Sequence, residues 1–409
     1  MPRRKIVAAL DIGTSKVVAL VGEVDTYDQL SIIGLGEAAS VGLRRGMIVD
    51  IERTSRSVAE AVAAAERMSG ISLSSVVVGI SGAHIATLNN RGVVAVANPG
   101  REIMPEDVVR VLHAAQVINL SSERHILHVL PRQYIVDGCD GIIDPTGMAG
   151  SRLEVEALIV TAATTWVRNL HYCLQKAGLH VDGLVLSPLA AAEVVLEPAE
   201  KELGTILVDI GGGTTEIAIF DRGGLWFTSV LPMGGDFVTS DLAVGLRLPL
   251  VEAERLKRSF VPPAAGNGEA ATIEVGTGLH RQEVSQDLLA SIIEPRLEEI
   301  FQFVQGEIAR SGYPALLPGG VVLTGGIAAL DGIAELASQF LQLPVRVGYP
   351  GGVGGMVDMV RHPSYATAVG LLVHGTRLAV GQVAAAQEAG GAGFLRRFWE
   401  WVLDIFREE

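Results

Sequence analysis

Twice in this chain an apolar run ends in Asp-Ile-Gly. Ile6, Val7, Ala8, Ala9 and Leu10 lead into Asp11-Ile12-Gly13-Thr14-Ser15-Lys16. Ile206, Leu207 and Val208 lead into Asp209-Ile210-Gly211-Gly212-Gly213-Thr214-Thr215, and Glu216-Ile217-Ala218-Ile219 follows. Unbroken apolar runs of this kind read as buried strands. Glycine allows a tight turn and a close-approaching ligand, while Thr14 and Ser15 offer hydroxyl and amide donors to a phosphate. Lys16 adds a positive charge. Three successive glycines between buried strands sacrifice chain entropy, and a ligand at Gly211 to Gly213 accounts for that better than a plain turn does. One such loop in each half can grip a triphosphate from opposite sides. Asp11 and Asp209 would then face one Mg²⁺, through water, because this ion dehydrates reluctantly. The arrangement is not a Walker loop, since no G-x-x-x-x-G-K-[ST] occurs.

The surrounding pattern alternates between strands and helices. Residues 16–24, 30–37, 75–80, 153–161 and 216–220 read as strands. Residues 53–68, 105–117, 165–176, 237–246, 250–259 and 285–310 have helical periodicity, and Gly70 suits a helix stop. Residues 262–270 are polar and Gly-rich, as in a surface loop. A third short strand, Val321 to Leu323, runs into Thr324-Gly325-Gly326-Ile327, which can seat a flat base or ribose on its backbone. The alternation restarts near Thr205. This predicts an α/β fold of two domains related by duplication, with a cleft between them.

Bulk properties narrow the function. A chain of 409 residues with 49% hydrophobic content can build two sizeable cores. Its formal charge of -14 repels phosphate backbones and argues against nucleic acid as a partner. Cys139 and Cys173 are its only cysteines, too few for a disulfide scaffold and consistent with a reducing cytosol. Asp11 ends the first apolar run too early for a signal peptide, and no stretch reaches the roughly 20 apolar residues of a spanning helix. Membrane contact is therefore expected to be peripheral.

The loops Asp11 to Lys16 and Asp209 to Thr215, with Leu323 to Ile327, resemble those of the actin, sugar-kinase and heat-shock-chaperone ATPase superfamily. That resemblance implies ATP and Mg²⁺ as ligands. It implies that Gly234, Gly235 and Asp236 form the turn into the second nucleotide subdomain. It also implies that Glu254 and Lys257, one helical turn apart, contact the ribose. Further stretches resemble the FtsA family of bacterial division proteins. They are residues 42–50 (GLRRGMIVD), 79–85 (GISGAHI), 128–134 (HVLPRQY), 144–148 (DPTGM), 293–296 (IEPR) and 366–372 (ATAVGLL). The resemblance as a whole runs over about residues 5–378.

The family resemblance implies an actin-like, ribonuclease H-like duplicated fold carrying an inserted α/β subdomain at residues 84–163. The first actin-like subdomain would comprise 1–83 and 164–203, and the second domain 204–378. It implies ATP-dependent self-association into a filament or dimer, and binding of the C-terminal tail of the tubulin-like protein FtsZ. It also implies recruitment of later division proteins through the insert. Arg296 becomes a candidate partner contact. Superfamily members that hydrolyse ATP briskly carry Glu or Gln where this chain has Ser187, and a hydroxyl is the weaker base. Slow turnover follows, with nucleotide acting as a structural ligand. Two rivals share these loops: a pilus-assembly scaffold of the PilM type, and a phosphotransfer enzyme of the sugar-kinase or polyphosphatase type.

Residues 379–393, rich in Ala, Gly and Gln, read as a flexible linker with a reach of about 20 Å. Beyond it, Phe394, Leu395, Phe398, Trp399, Trp401, Val402, Leu403, Ile405 and Phe406 fall on one side of a helical wheel, over an arc of about 200°. Arg396, Arg397, Glu400, Asp404, Arg407 and Glu408 occupy the rest. Such a helix suits the membrane interface. Its charges nearly cancel, so apolar insertion must dominate over attraction to anionic lipid. The chain is thus expected at the cytoplasmic face of the membrane, at the division site.

Overall fold

The computed structural model describes residues 5–97, 102–261, 272–275, 282–314 and 316–387. The apolar stretch from Phe394 to Phe406 and the polar stretch 262–270 lie outside them.

Two sheets form the body, and they repeat one plan. In the first, Lys5–Ile12 pairs antiparallel with Lys16–Val24, which pairs antiparallel with Leu30–Ala39. On its other side Lys5–Ile12 pairs parallel with Ser75–Ile80, and that strand pairs parallel with His180–Leu186. In the second, Thr205–Ile210 pairs antiparallel with Thr215–Asp221, and then Gly224–Leu231 follows. Val321–Thr324 and Val345–Val347 continue it in parallel on the other side. The expected duplication is therefore present strand for strand. A two-residue strand from the second half, Gly354–Gly355, adds to the edge of the first sheet beside Leu30–Ala39.

Apolar residues facing both sides of each sheet bring helices against them. Helix Ile51–Ser69 starts where the Asp50 carboxylate accepts the Arg53 N–H at 3.0 Å, and it ends at Gly70 with φ 71°. Its buried face includes Ala61 and Ala65. A Cβ on Gly36 would come within 1.8 Å of the Ala61 carbonyl oxygen, so helix and sheet touch through backbone. The opposite face is covered from far along the chain. Helix Ala366–Gln387 buries Ala368, Val369, Leu371 and Leu372 against Val7, Ala9, Val18 and Leu20. Gly370 lets it meet helix Ser187–Val195, because a Cβ there would fall 1.8 Å from the Ala190 carbonyl oxygen. Gly370→Ala should destabilise the protein by about 1–3 kcal/mol through overpacking, read as a shifted urea midpoint at unchanged slope.

A separate antiparallel sheet in the order Ala86–Ala95, Arg152–Ala163, Arg124–Val136, Cys139–Ile142 sits between two strands of the first sheet in sequence. Helix Pro105–Gln116 covers one face over Ile103, Val111, Tyr134, Leu153 and Val155. The other face reaches the second half, where the Arg132 guanidinium lies 3.2 Å from the Trp226 ring centroid.

The helix from Ala366 runs on to Gln387, nine residues into the stretch 379–393 read as a linker, and the rest of that stretch lies outside the described residues. Four alanines and two glutamines favour helix over 379–387, and a preceding helix propagates through Gly381 and the two valines despite their lower propensity. Among the described residues no helix is long and apolar enough to cross a membrane.

Candidate functional site

The two central strands end side by side, and their loops enclose a cavity of about 640 Å³ lined from both halves. Small-molecule sites commonly measure about 300–1,000 Å³. Asp11, Gly13, Thr14, Ser15 and Lys16 line it from the first half. Asp209, Gly211, Gly212, Thr214, Gly235, Glu254, Lys257, Gly325, Gly326 and Ile327 line it from the second.

Backbone hydrogen bonds set the loop shapes. The Gly13 N–H donates to the Lys16 carbonyl at 3.0 Å, and the Gly211 N–H to the Thr214 carbonyl at 2.9 Å. The Gly235 and Asp236 N–H groups donate to the carbonyls of Gly211 and Gly212 at 2.9 and 2.8 Å. A Cβ on Gly212 would meet Ser15 Oγ at 1.9 Å, and one on Gly213 would meet Thr14 Oγ1 at 2.7 Å. The glycine run therefore serves contact between the two loops as well as space for a ligand. Gly234 is needed for the same closeness, since a Cβ there would lie 2.5 Å from the Gly211 carbonyl oxygen. Gly46, in the stretch 42–50, donates its N–H to Thr14 Oγ1 at 3.1 Å and so holds the first loop from behind.

Some predicted residues support the cavity without lining it. Gly213, Gly234 and Asp236 belong to this group, and so does Thr215, whose hydroxyl donates to the Met233 carbonyl at 2.9 Å. The pair Glu254 and Lys257 lines the cavity, but the two charges face each other at 2.6 Å. Lys257 also donates to Thr239 Oγ1 at 2.9 Å and to the Gly235 carbonyl at 3.2 Å. Glu254 accepts from Thr239 at 2.6 Å and from Arg258 at 2.9 Å. This network braces the turn at Gly235. Arg296 lies elsewhere, on helix Gln286–Arg310, bonded to Asp241 at 2.6 Å and paired with Glu299.

The electrostatics favour a cation. Burial pushes the Asp11 carboxyl up to about 6, against a weaker pull from Lys16. Burial, and then the Asp11 charge, push Asp209 up to about 7. Glu216, directly across from Asp209 in the strand register, also lines the cavity and is driven well above its ordinary range by burial and by Asp209. Its Oε2 is buried without a hydrogen-bond partner. Three repelling carboxyls with an orphaned oxygen fit a divalent cation. Among the described residues no three His, Cys, Asp or Glu side chains come together as a direct metal cage.

Glu216 escaped the sequence reading, although an acid inside an apolar strand was its signal. So did His84 on the cavity wall, which stacks 6.0 Å from Trp166. Neither His84 ring nitrogen has a hydrogen-bond partner, and burial followed by the Arg124 charge pushes the ring down to about 4. Ser187 is buried on the same wall at the first turn of its helix.

Comparison with known proteins places this geometry. Residues 206–370 match the family model "Cell division protein FtsA", and residues 82–161 match "SHS2 domain inserted in FTSA". Curated proteins named cell division protein FtsA are similar along nearly the whole chain. That of Pseudomonas aeruginosa is 42% identical over 98% of this chain and 98% of its own length. That of Bacillus subtilis is 43% identical over 91% of this chain and 84% of its own. Among solved structures, a PilM–PilN type IV pilus biogenesis complex aligns with TM-score 0.66 and 19% identity over 90% of this chain and 98% of its own. MreB5 of Spiroplasma citri bound to ADP aligns with TM-score 0.53 and 14% identity over 94% of this chain and 98% of its own. At such identities the structures establish the actin-like fold alone. The sequence relatives go further: the chain belongs to the FtsA family of cell division proteins.

Proposed function

We propose that this chain is an ATP-binding, self-associating actin-like scaffold of bacterial cell division. Its loops hold ATP and a hydrated Mg²⁺. It engages the C-terminal tail of FtsZ through the second domain and recruits later division proteins through the inserted subdomain. Residues 394–409 place it on the cytoplasmic face of the membrane at the division site. The observation that carries the reading is the convergence of three loops on one cavity, with Asp11, Asp209 and Glu216 gathered in it. Thr14, Ser15, Thr214 and the loop backbone supply phosphate donors, and Gly325 to Ile327 a surface for the nucleoside.

Ser187 stands where a water-orienting carboxylate would serve a fast hydrolase, so turnover below about 1 s⁻¹ is expected. Bound nucleotide then stabilises the closed cleft by mass action. Arg296 could serve the FtsZ tail only by giving up Asp241 and Glu299.

Vesicle co-sedimentation tests the membrane role. The full chain with Mg-ATP should pellet with lipid, and a chain ending at Gln387 should not. Omitting nucleotide should weaken pelleting, because many weak anchors on one assembly gain avidity. Equal pelleting of both chains would remove residues 394–409 from the membrane role.

A further inference from the structure

Five residues touch all three loops of the cavity. Pro363–Tyr365 forms a short 3₁₀ turn, and Ala366–Gln387 follows it directly. The Pro363 carbonyl accepts the Thr324 hydroxyl at 3.1 Å and the Gly325 N–H at 3.3 Å, which ties the turn to the third loop. The Tyr365 hydroxyl donates to Glu37 Oε2 at 2.7 Å. Its ring lies beneath the Lys16 ammonium, 3.6 Å from ring centroid to Nζ, beside the first loop. The Thr367 hydroxyl donates to Asp209 Oδ2 at 3.2 Å, at the mouth of the second loop.

The contacts of Tyr365 and Thr367 bear on charged groups of the cavity wall. Lys16 lies 3.4 Å from Glu37 and against the Tyr365 ring, with the charges of Asp11 and Arg258 also acting on it. A carboxylate alone would draw the ammonium away and cancel its charge. An aromatic face holds an ammonium without cancelling it. The Tyr365 hydroxyl meanwhile engages Glu37, so less of that carboxylate is free for Lys16. Burial lowers the proton affinity of Lys16, and Glu37 and then Asp11 act against it, so the ammonium can stay charged on the cavity wall. Thr367, 7% exposed, occupies one Asp209 oxygen and fixes the plane of that carboxylate. The other oxygen stays available for metal-bound water.

We propose that Tyr365 and Thr367 are positioning residues of this site: Tyr365 keeps the Lys16 charge available to the terminal phosphate, and Thr367 orients Asp209 for the hydrated cation. The inference rests on the nucleotide-binding reading above. It predicts a division of labour that simple loosening of the fold would not produce. Lys16 counts most where phosphate charge is greatest, so Tyr365 should govern ATP more than ADP. Thr367 should govern the magnesium requirement.

The experiment titrates full-length protein with fluorescent ribose-labelled ATP and ADP, at fixed and then varied Mg²⁺. Tyr365→Leu should weaken ATP about tenfold and ADP about twofold or less, with Tyr365→Phe, which keeps the ring, falling between. Thr367→Val should raise the Mg²⁺ concentration for half-maximal ATP binding about fivefold, and Thr367→Ser should restore it. An unchanged ATP-to-ADP preference in both Tyr365 variants, or an unchanged Mg²⁺ midpoint in Thr367→Val, overturns the corresponding assignment. A Thr367→Ser protein as impaired as Thr367→Val also overturns it. Failure of the unsubstituted protein to bind either nucleotide would instead bring down the reading beneath the inference.

Discussion

Gly325→Val is expected to abolish nucleotide binding at concentrations that saturate the unsubstituted protein. Gly325 has φ 88°, a region that a β-branched residue strongly resists. A Cβ there would lie 2.2 Å from Asp209 Oδ1 and 2.6 Å from the Ile210 carbonyl oxygen. The carbonyl cannot swing aside without distorting the strand that carries Asp209. The third loop must therefore shift, or Asp209 must leave its place beside Thr367. Backbone strain and overpacking together should cost about 2–4 kcal/mol of stability. The loss of nucleotide should exceed what that cost explains, because the third loop and the Asp209 carboxylate, which both line the cavity, move together. Binding titrations beside thermal melts separate the two effects. Near-normal affinity in a destabilised protein would mean that Gly325 is a turn residue and no more.

The second large effect is acid sensitivity through His128. Its Nε2 accepts the Leu186 N–H at 3.1 Å, a role open only to a neutral ring. Burial, and then the charge of His374, push the His128 ring down to about 4 from its ordinary 6.5. The unfolded chain therefore takes up this proton first. Stability from this residue is complete above pH 6.5 and declines as pH falls towards 4. At about 1.4 kcal/mol for each tenfold loss of proton affinity, the full effect is on the order of 3 kcal/mol. Leu186 immediately precedes Ser187, so protonation also loosens the cavity wall. His128→Gln, with an acceptor that cannot titrate, should flatten the acid limb of the stability profile between pH 6.5 and 4.5. Parallel profiles for the two proteins, measured by urea unfolding at each pH, would contradict this account.

Much of this was legible beforehand for a definite reason. The central strands Lys5–Ile12 and Thr205–Ile210 are buried on both faces, so their apolar runs stand out and their terminal aspartates mark the loops. Helix Ile51–Ser69 announced itself through Val58, Ala61, Val62, Ala65 and Met68, with Gly70 as its stop, although Met68 at the helix end is left 42% exposed. Arg124–Val136 did not, because its covered faces receive Arg132, Gln133 and His128 rather than a plain apolar stripe. Periodicity cannot recognise polar residues buried by specific partners. The same limit hid Glu216 and His84. Spacing placed Glu254 and Lys257 on one face, correctly, yet could not reveal that the two neutralise each other. The contacts of Tyr365 and Thr367 join residues some 330 and 160 positions apart, and no local pattern carries that information.

The helix Ala366–Gln387 has a consequence for synthesis on the ribosome. Much of one face of the first sheet, with Val7, Val18 and Leu20, is covered by Ala368, Val369, Leu371 and Leu372, with Ala190 of helix Ser187–Val195 beside them. At about 5–20 residues per second, the first strands wait roughly 17–70 s for this cover. Throughout that interval a wide apolar surface lies open to water and to neighbouring nascent chains. The newborn polypeptide should therefore depend on holding chaperones until helix Ala366–Gln387 emerges, and a ribosome stalled before codon 366 should leave an aggregating fragment rather than a folded half.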